Sequence, residues 1–378
     1  MRIIPVASGK GGVGKSLLSA NLSIALGQAG KKVTLVDSDL GASNLHLVLG
    51  HQAPKKGLGT FLTGASSFED TIAKTDYENV SFIPGDSEIP GITSIKTNQK
   101  RLLINKLIQS EADYVILDLG AGTHLNILDF FLLSPRGIII TAPSVTATLN
   151  AYLFLKNAVF RFMSTSFKQD SPAYAYLQKL KNDTSSLQRM YIPRLIEAIQ
   201  GIDPESAEVF VGRMNRFHPR LIMNMVEDPK DADKAQKIRR SCKEYLGIDM
   251  EHLGIMYRDS MQDIALSSRL PVIIYKPQSL LSQGIYRIAD KIIQSEDQPV
   301  ESIEDVAEES FHTAEMEASL DYETRISYVE DLIGSGALTM GDLAETIKTQ
   351  QYEITQLRKE NQLLRSKLVK AASMGFKL

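Results

Sequence analysis

Short, nearly unbroken apolar runs recur along the first 275 residues: RIIPVAS (2–8), KVTLVD (32–37), NVSFIPG (79–85), DYVILD (113–118), GIIITA (137–142), RLIMNMV (220–226), HLGIMY (252–257) and PVIIY (271–275). Val, Ile and Leu without polar alternation mark strands covered on both faces. Longer stretches of helical spacing separate them, the first over residues 16–29. Strands alternating with helices predict an α/β fold with a mainly parallel, doubly wound sheet. Residues 146–215 read as a helical insertion broken at Pro172, Pro193 and Pro204, and the domain is expected to close with a helix near residue 293.

The pattern then changes. Residues 296–323 hold eleven carboxylates, and no Lys or Arg falls between Lys291 and Arg325. Read alone, residues 294–318 are an acidic, solvated linker; the sharper alternative is an intramolecular mask over a basic surface. Residues 319–378 read as two helices broken at Gly334-Ser335-Gly336, with Thr339 and Asp342 spaced as a capping box. From Met340 a heptad holds, with Met340, Ile347, Ile354, Asn361 and Leu368 at a, and Leu343, Gln350, Leu357, Leu364 and Ala371 at d. Glu353 and Glu360 at g precede Arg358 and Arg365 at e, a pattern that favours a parallel homodimeric coiled coil. A lone helix packing on its own domain is the other reading.

Bulk composition narrows the classes. Net charge is −3, with 43% hydrophobic and 23% charged residues, as in an ordinary globular protein. A single cysteine, Cys242, excludes a disulfide framework and any multi-cysteine metal or iron–sulfur centre, and reads as a packing residue. The six histidines show no ligand spacing. The chain opens on a strand pattern rather than a secretory leader, and no apolar run nears the ~20 residues that span a bilayer, so a cytoplasmic location is expected. Lys230, Lys234, Lys237, Arg239, Arg240 and Lys243 fall on one predicted helix. They are candidates for non-specific contact with DNA phosphates, against the plainer reading of a solvated helix face. The last residues, SKLVKAASMGFKL, interleave Lys367, Lys370 and Lys377 with Leu368, Val369, Met374 and Phe376, enough for weak membrane contact only.

The chemistry begins at SGKGGVGKS, residues 8–16. Gly9, Gly14, Lys15 and Ser16 fill GxxxxGK[ST] between a predicted strand and helix, the context that marks a phosphate-binding loop. Backbone N–H groups from Gly9 to Leu17, through Gly11, Gly12 and Val13, would cradle phosphate, helped by the positive end of the helix. Lys15 would reach the β- and γ-phosphates of ATP, and the Ser16 hydroxyl would ligate Mg²⁺. Asp118 ends the strand DYVILD, where a carboxylate can hold the metal, and Gly120 and Gly122 follow as a flexible switch.

Lys10 makes the pattern specific. KGGVGKS resembles the deviant phosphate loop of the ParA/MinD ATPases, in which a second lysine reaches into the partner subunit's site when two subunits sandwich two nucleotides. VDSDLGASNLHLVLG (36–50) is similar to the first switch of the MinD branch, matched at Asp37, Asp39, Gly41, Asn44 and Gly50. DLGAG (118–122) is closer to the FlhG and MinD forms than to plasmid ParA proteins. The resemblance implies Lys10 and Lys15 as catalytic cations, Asp39 orienting the attacking water, Asp37 assisting at the metal, and Asn224 at the adenine. It departs from the family near GIMYRDS, where Tyr257 and Arg258 stand before Asp259 in place of a proline–acid pair. It covers residues 1–293 and implies an ATP-switched protein that positions a flagellum, chromosome or polar complex; residues 319–378 lie outside it, and their helices read as an arm that docks an unknown protein partner. A metabolic enzyme of the same fold, an amide ligase or a dethiobiotin-synthetase-like enzyme, is the alternative; its nearest relatives lack the signature lysine combined with the DxGAG switch.

Overall fold

Seven of the eight apolar runs become strands of one sheet. The structure is a computed structural model describing residues 1–39, 41, 43–52, 55–85, 95–182, 191–295, 303–335 and 339–373. The strands are β1 (Arg2–Ser8), β2 (Val33–Asp37), β3 (Ala73–Lys74), β4 (Val80–Ile83), β5 (Tyr114–Ala121), β6 (Ile138–Thr141), β7 (Arg220–Val226) and β8 (Glu251–Tyr257). Their order is β3-β4-β2-β5-β1-β6-β7-β8. Only the two-residue β3, absent from the apolar pattern, runs antiparallel to its neighbour. The sheet grows to one side of β1 through β5 and to the other from β6 onward. Loops at the C-terminal ends of the strands therefore diverge around β1 and open a crevice there.

Helix α1 (Lys15–Gln28) is buried nearly all round, including Ser19, Asn21 and Ser23. Its polar side chains satisfy themselves locally: Ser19 and Ser23 hydroxyls donate to the carbonyls four residues back, as does the Asn21 amide. Asn21 Oδ1 also accepts from the Ile273 backbone N–H at 3.1 Å. That bond bears on the one misread strand. PVIIY is not a strand but a single helical turn, Val272–Tyr275, entered from Pro271 in an extended conformation, with Val272 and Ile273 buried in the core. Continuous apolar residues cannot by themselves separate a buried strand from a buried turn of helix.

Helices α2 (Thr97–Ile108) and α3 (Leu125–Phe131) flank the sheet on either side of β5 in sequence. The expected insertion consists of α4 (Val145–Ser166), α5 (Pro172–Asn182), α6 (Ile192–Ile202) and α7 (Pro204–Met214). Its prolines begin helices as much as break them: Pro172 and Pro204 are first residues and Pro193 the second, where a missing N–H goes unnoticed. An aromatic cluster fixes the insertion to the sheet side, with Phe131 edge-on to Phe154 at 5.0 Å and Phe162 beside Phe217 at 5.6 Å. Asp129 on α3 accepts from Lys100 on α2 and, at 2.6 and 3.0 Å, from Arg161 on α4, tying three helices together. After β7 come α8 (Asp233–Ser241) and, beyond β8, α9 (Leu280–Gln294), which packs on α1.

The chain divides into two compact units, Met1–Ser319 and Leu320–Leu378. The expected linker at 294–318 needs correcting: from Ile303 it is the start of helix α10 (Ile303–Gly334), and residues 306–319 pack on the first unit. Ala307, Phe311, Ala314 and Ala318 form a buried stripe at helical spacing among the carboxylates. The His252 N–H donates to Ser310 Oγ at 2.9 Å, Tyr257 Oη donates to the Ala318 carbonyl at 2.7 Å, and Lys291 pairs with Glu317 at 2.7 Å. This helix thus covers β8, an edge strand that would otherwise stand open. Residues 296–302 lie outside the described residues.

In the second unit, Thr339 and Asp342 form the reciprocal capping box: Thr339 N–H donates to the Asp342 carboxylate at 2.9 Å, and Asp342 N–H to Thr339 Oγ1 at 3.2 Å. Helix α11 (Met340–Ser373) follows, with Ile347, Ile354, Leu357 and Leu364 all exposed. Gly336 of the expected break and Met374, Phe376 and Lys377 of the expected membrane contact lie outside the described residues, as do the side chains of Met340, Glu353, Arg365, Leu368, Val369, Lys370 and Ala371. No described helix is long and apolar enough to cross a membrane.

His252 gives this arrangement a pH dependence. Neither of its buried ring nitrogens has a hydrogen-bond partner among the described residues, and the Phe311 ring packs against it tilted by 60°, with centroids 4.9 Å apart. Burial, and then the Lys291 ammonium, pull its pKa down to about 3. A histidine depressed in the docked form favours docking fully above the ordinary pKa of ~6.5 and progressively less as pH falls toward 3. Glu317 faces the same site through Lys291. Amide protection factors of 306–319, with rates referred to intrinsic exchange at each pH, should therefore fall between pH 7 and 5, and His252→Leu should flatten that dependence.

Candidate functional site

Parallel pairing of β2 with β5 sets Asp37, the last residue of β2, directly beside Asp118, after which β5 runs on to Ala121. Both carboxylates are buried to 1% exposure. The phosphate loop leaves β1, the next strand over, and brings Lys15 onto them: Lys15 Nζ lies 3.0 Å from Asp118 Oδ1, which also accepts from Ser19 Oγ at 3.1 Å. Asp37 is held differently. Its carboxylate accepts from Ser43 Oγ at 2.7 Å and from the backbone N–H groups of Leu45 and Asp39 at 3.3 and 3.1 Å. Burial first, and the Asp118 charge second, still push its pKa up to about 7. Two desolvated carboxylates side by side want more positive charge than one lysine supplies. With the half-buried Ser16 hydroxyl at the start of α1 they make a hard oxygen donor set, so the residues present fit Mg²⁺.

Gly12, Gly14 and Gly122 have φ of 77°, 90° and 99°, a left-handed backbone that favours glycine. Gly9 has a different constraint. A Cβ there would sit 2.0 Å from the Asn150 carbonyl oxygen and 2.9 Å from the Ala151 nitrogen, so the loop runs directly against α4. Asn224, at the end of β7, donates from Nδ2 to the Val13 carbonyl at 2.9 Å, and would meet a Cβ on Gly14 at 2.2 Å. The residue expected at the adenine therefore also braces the loop. Beyond it Met225 is left-handed, with φ 59°, within the irregularity that interrupts the β7–β8 register between Met223 and Val226.

The two lysines part company. Lys15 is buried, whereas Lys10 is exposed and donates to Thr146 Oγ1, at the start of α4, at 3.0 Å. Asp39 lies against the second switch: a Cβ on Gly120 would be 3.4 Å from Asp39 Cγ. Leu40 and Ala42 of the first switch are outside the described residues. Beside the loop a cleft of about 360 Å³ opens, lined among others by Lys10, Gly12, Val13, Pro143, Glu227 and Arg258. At its rim Arg258 pairs with Glu227 at 3.0 Å, a contact that accounts for one residue of the departing YRD segment.

A family model described as an AAA domain matches residues 1–150. A flagellum site-determining protein, YlxH of Helicobacter pylori, is 32% identical over 202 residues, spanning 50% of this chain and 68% of that one. The chain belongs to the ParA/MinD family of P-loop ATPases, in its FlhG-like branch. A septum site-determining protein MinD of Thermotoga maritima is 33% identical over 153 residues, 39% of this chain but only 55% of the relative. The fold is that of MinD complexed with Mg-ADP from Pyrococcus horikoshii, at TM-score 0.52 and 23% identity over 78% of this chain and 97% of that one.

Within this ParA/MinD framework, Ser19, Ser43 and Thr146 are site residues that sequence reasoning missed. Ser19 lies four residues after Lys15, hence on the same helix face, and Ser43 falls inside the first switch motif. Thr146 left no sequence signal, because its role depends on where α4 passes. The glycine geometry makes a paired prediction. Gly9→Ala should displace the loop, abolish nucleotide binding in fluorescent-nucleotide titration, and lower stability by ~2–4 kcal/mol, as overpacking against backbone does. Gly11→Ala, whose Cβ would only touch Ala121 Cβ at 4.0 Å, should leave the melting temperature unchanged.

Proposed function

We propose that this chain is an ATP-binding and ATP-hydrolysing switch that closes as a nucleotide-sandwich homodimer and thereby positions or regulates a cellular assembly. The observation that carries this reading is the division between the lysines: Lys15 turned inward onto Asp118, Lys10 turned outward onto α4. A lysine held at the rim has little to offer its own phosphates and much to offer a second copy. Val145, Leu149 and Leu153, spaced by four along α4 from beside Thr146, add an exposed apolar stripe on the same face at 79%, 55% and 38% exposure. Such a stripe suits a partner surface.

In this mechanism the loop N–H groups from Gly9 to Leu17 hold the phosphates, with Asn224 on the adenine side. Lys15 exchanges Asp118 for the β- and γ-phosphates. Ser16, Asp37 and Asp118 would hold Mg²⁺, which when bound neutralises phosphate charge. Asp39, with Asp37 fixing its backbone N–H, orients the attacking water beside Gly120. Lys10 of each subunit leaves Thr146 for the other subunit's nucleotide, adding positive charge where the transition state gathers negative charge. Relatives that determine flagellum or septum sites support the positioning role, and the arm at 320–378 is proposed to take the protein partner. The exposed a and d residues Ile347, Ile354, Leu357 and Leu364 support a homodimeric coiled coil in that arm.

Two measurements test this. A chain truncated after Ser319 and carrying Asp39→Ala should be monomeric with ADP and dimeric with ATP in light scattering. In the wild-type background Lys10→Ala should bind ATP normally while turnover falls about 10³-fold, the scale of a lost arginine finger; normal hydrolysis would remove the sandwich from the mechanism. Separately, the intact chain should be dimeric without nucleotide, and Leu357→Ser with Leu364→Ser should make it monomeric.

A further inference from the structure

The acidic segment does more than cover a sheet edge. Residues 306–319 lie alongside α8, and between the two runs a groove of about 890 Å³. One wall carries Lys237, Arg239 and Arg240, with Asp233 at the start of the helix; the other carries Glu308, Glu309 and Glu315, with His312 among them. The walls do not zip together. Among the described residues, one ion pair within 4 Å crosses the groove, Arg239 to Glu308 at 3.9 Å, and Glu308 remains 81% exposed. The Arg239 guanidinium is instead covered by Phe311, 5.4 Å from the ring centroid, with its Nε buried and unpartnered. Lys237 and Arg240 are exposed. Other cations near this helix are engaged nearby: Lys234 with Asp231 at 2.6 Å and Lys243 with Asp249 at 3.5 Å.

We propose that residues 306–319 are a removable acidic cover over a cationic face of α8, and that the uncovered face takes the phosphate backbone of duplex DNA. The cover imitates its competitor: Glu308, Glu309 and Glu315 present a row of anions along a helix opposite the cations a phosphate row would meet. The cover is also built to be released. Its buried stripe is three alanines and one phenylalanine, and Phe311 rests on the unsatisfied His252 ring. DNA is favoured over an anionic bilayer because the apolar members of α8, Ala235 and Ile238, are buried, so this face offers no side chain to insert among acyl chains. The exposed Tyr245, four residues past the end of α8, is edge-on to Tyr191 at 6.0 Å. The groove shares no lining residue with the cleft beside the phosphate loop, and its test does not depend on hydrolysis.

The test uses the full-length chain without nucleotide and a 40-base-pair duplex of arbitrary sequence, titrated by fluorescence anisotropy at several salt concentrations. The triple substitution Glu308→Gln, Glu309→Gln, Glu315→Gln should tighten binding about tenfold, within the usual range of an intramolecular coupling. The gain should shrink as salt rises. Adding Lys237→Gln and Arg240→Gln, both exposed and remote from the core, should remove it. An unchanged affinity in the triple variant overturns the cover. A gain for phosphatidylserine vesicles without a gain for DNA overturns the assignment of the partner.

Discussion

Everything at the crevice depends on the register that sets Asp37 beside Asp118. Because β2 and β5 pair in parallel with these two residues opposite, two carboxylates reach the same depth in the sheet, both buried. Two buried like charges are tolerated only with compensation from cations and hydrogen bonds. Lys15 and Ser19 serve Asp118; Ser43 and two backbone N–H groups serve Asp37. The compensation is incomplete, which is why Asp37 sits near neutral pH rather than in the carboxylate range. A site poised in this way gains most when further positive charge arrives, which is what the proposed Mg²⁺ would supply.

The phosphate loop inherits its shape from that arrangement. To bring Lys15 over Asp118 it must leave β1 and pass so close to α4 that Gly9 has no room for a side chain. The same helix supplies Thr146 for Lys10, and Asn224 holds Val13 from the opposite side. The loop is therefore clamped between α4 and β7, while Lys10 alone remains at the rim. On the proposed reading the binding geometry is largely preorganised, and two lysines change partners: Lys15 leaves Asp118 and Lys10 leaves Thr146.

The parts of this that were legible in the sequence are those written in local chemistry. Seven buried strands, the phosphate loop and the Thr339–Asp342 cap each follow from spacing and residue type, whereas the strand expected to end at Asp118 runs on to Ala121. The failures share a cause. PVIIY carries the composition of a strand, yet its fate is set by Asn21, 252 residues away, taking the Ile273 N–H. Residues 303–319 look solvated because their buried stripe is mostly alanine, too weakly apolar to stand out among glutamates, and its binding surface is the distant β8. Thr146 is ordinary until tertiary structure puts it beside Lys10. Long-range contacts leave no periodicity behind.

The arm sharpens what ATP would control. On the coiled-coil reading, two phosphate loops are never free of each other, and the second encounter becomes intramolecular at an effective concentration set by the connecting chain, which for short flexible connections is in the millimolar range. Dimer assembly then ceases to be the nucleotide-dependent event. What remains for ATP is to draw Lys10 from Thr146 and turn two tethered faces toward one another. A switch of that kind responds without waiting for diffusion and at any cellular abundance. Its output is the geometry of a standing dimer, which places the sensitivity of the system in the strength of one hydrogen bond at the rim of the loop.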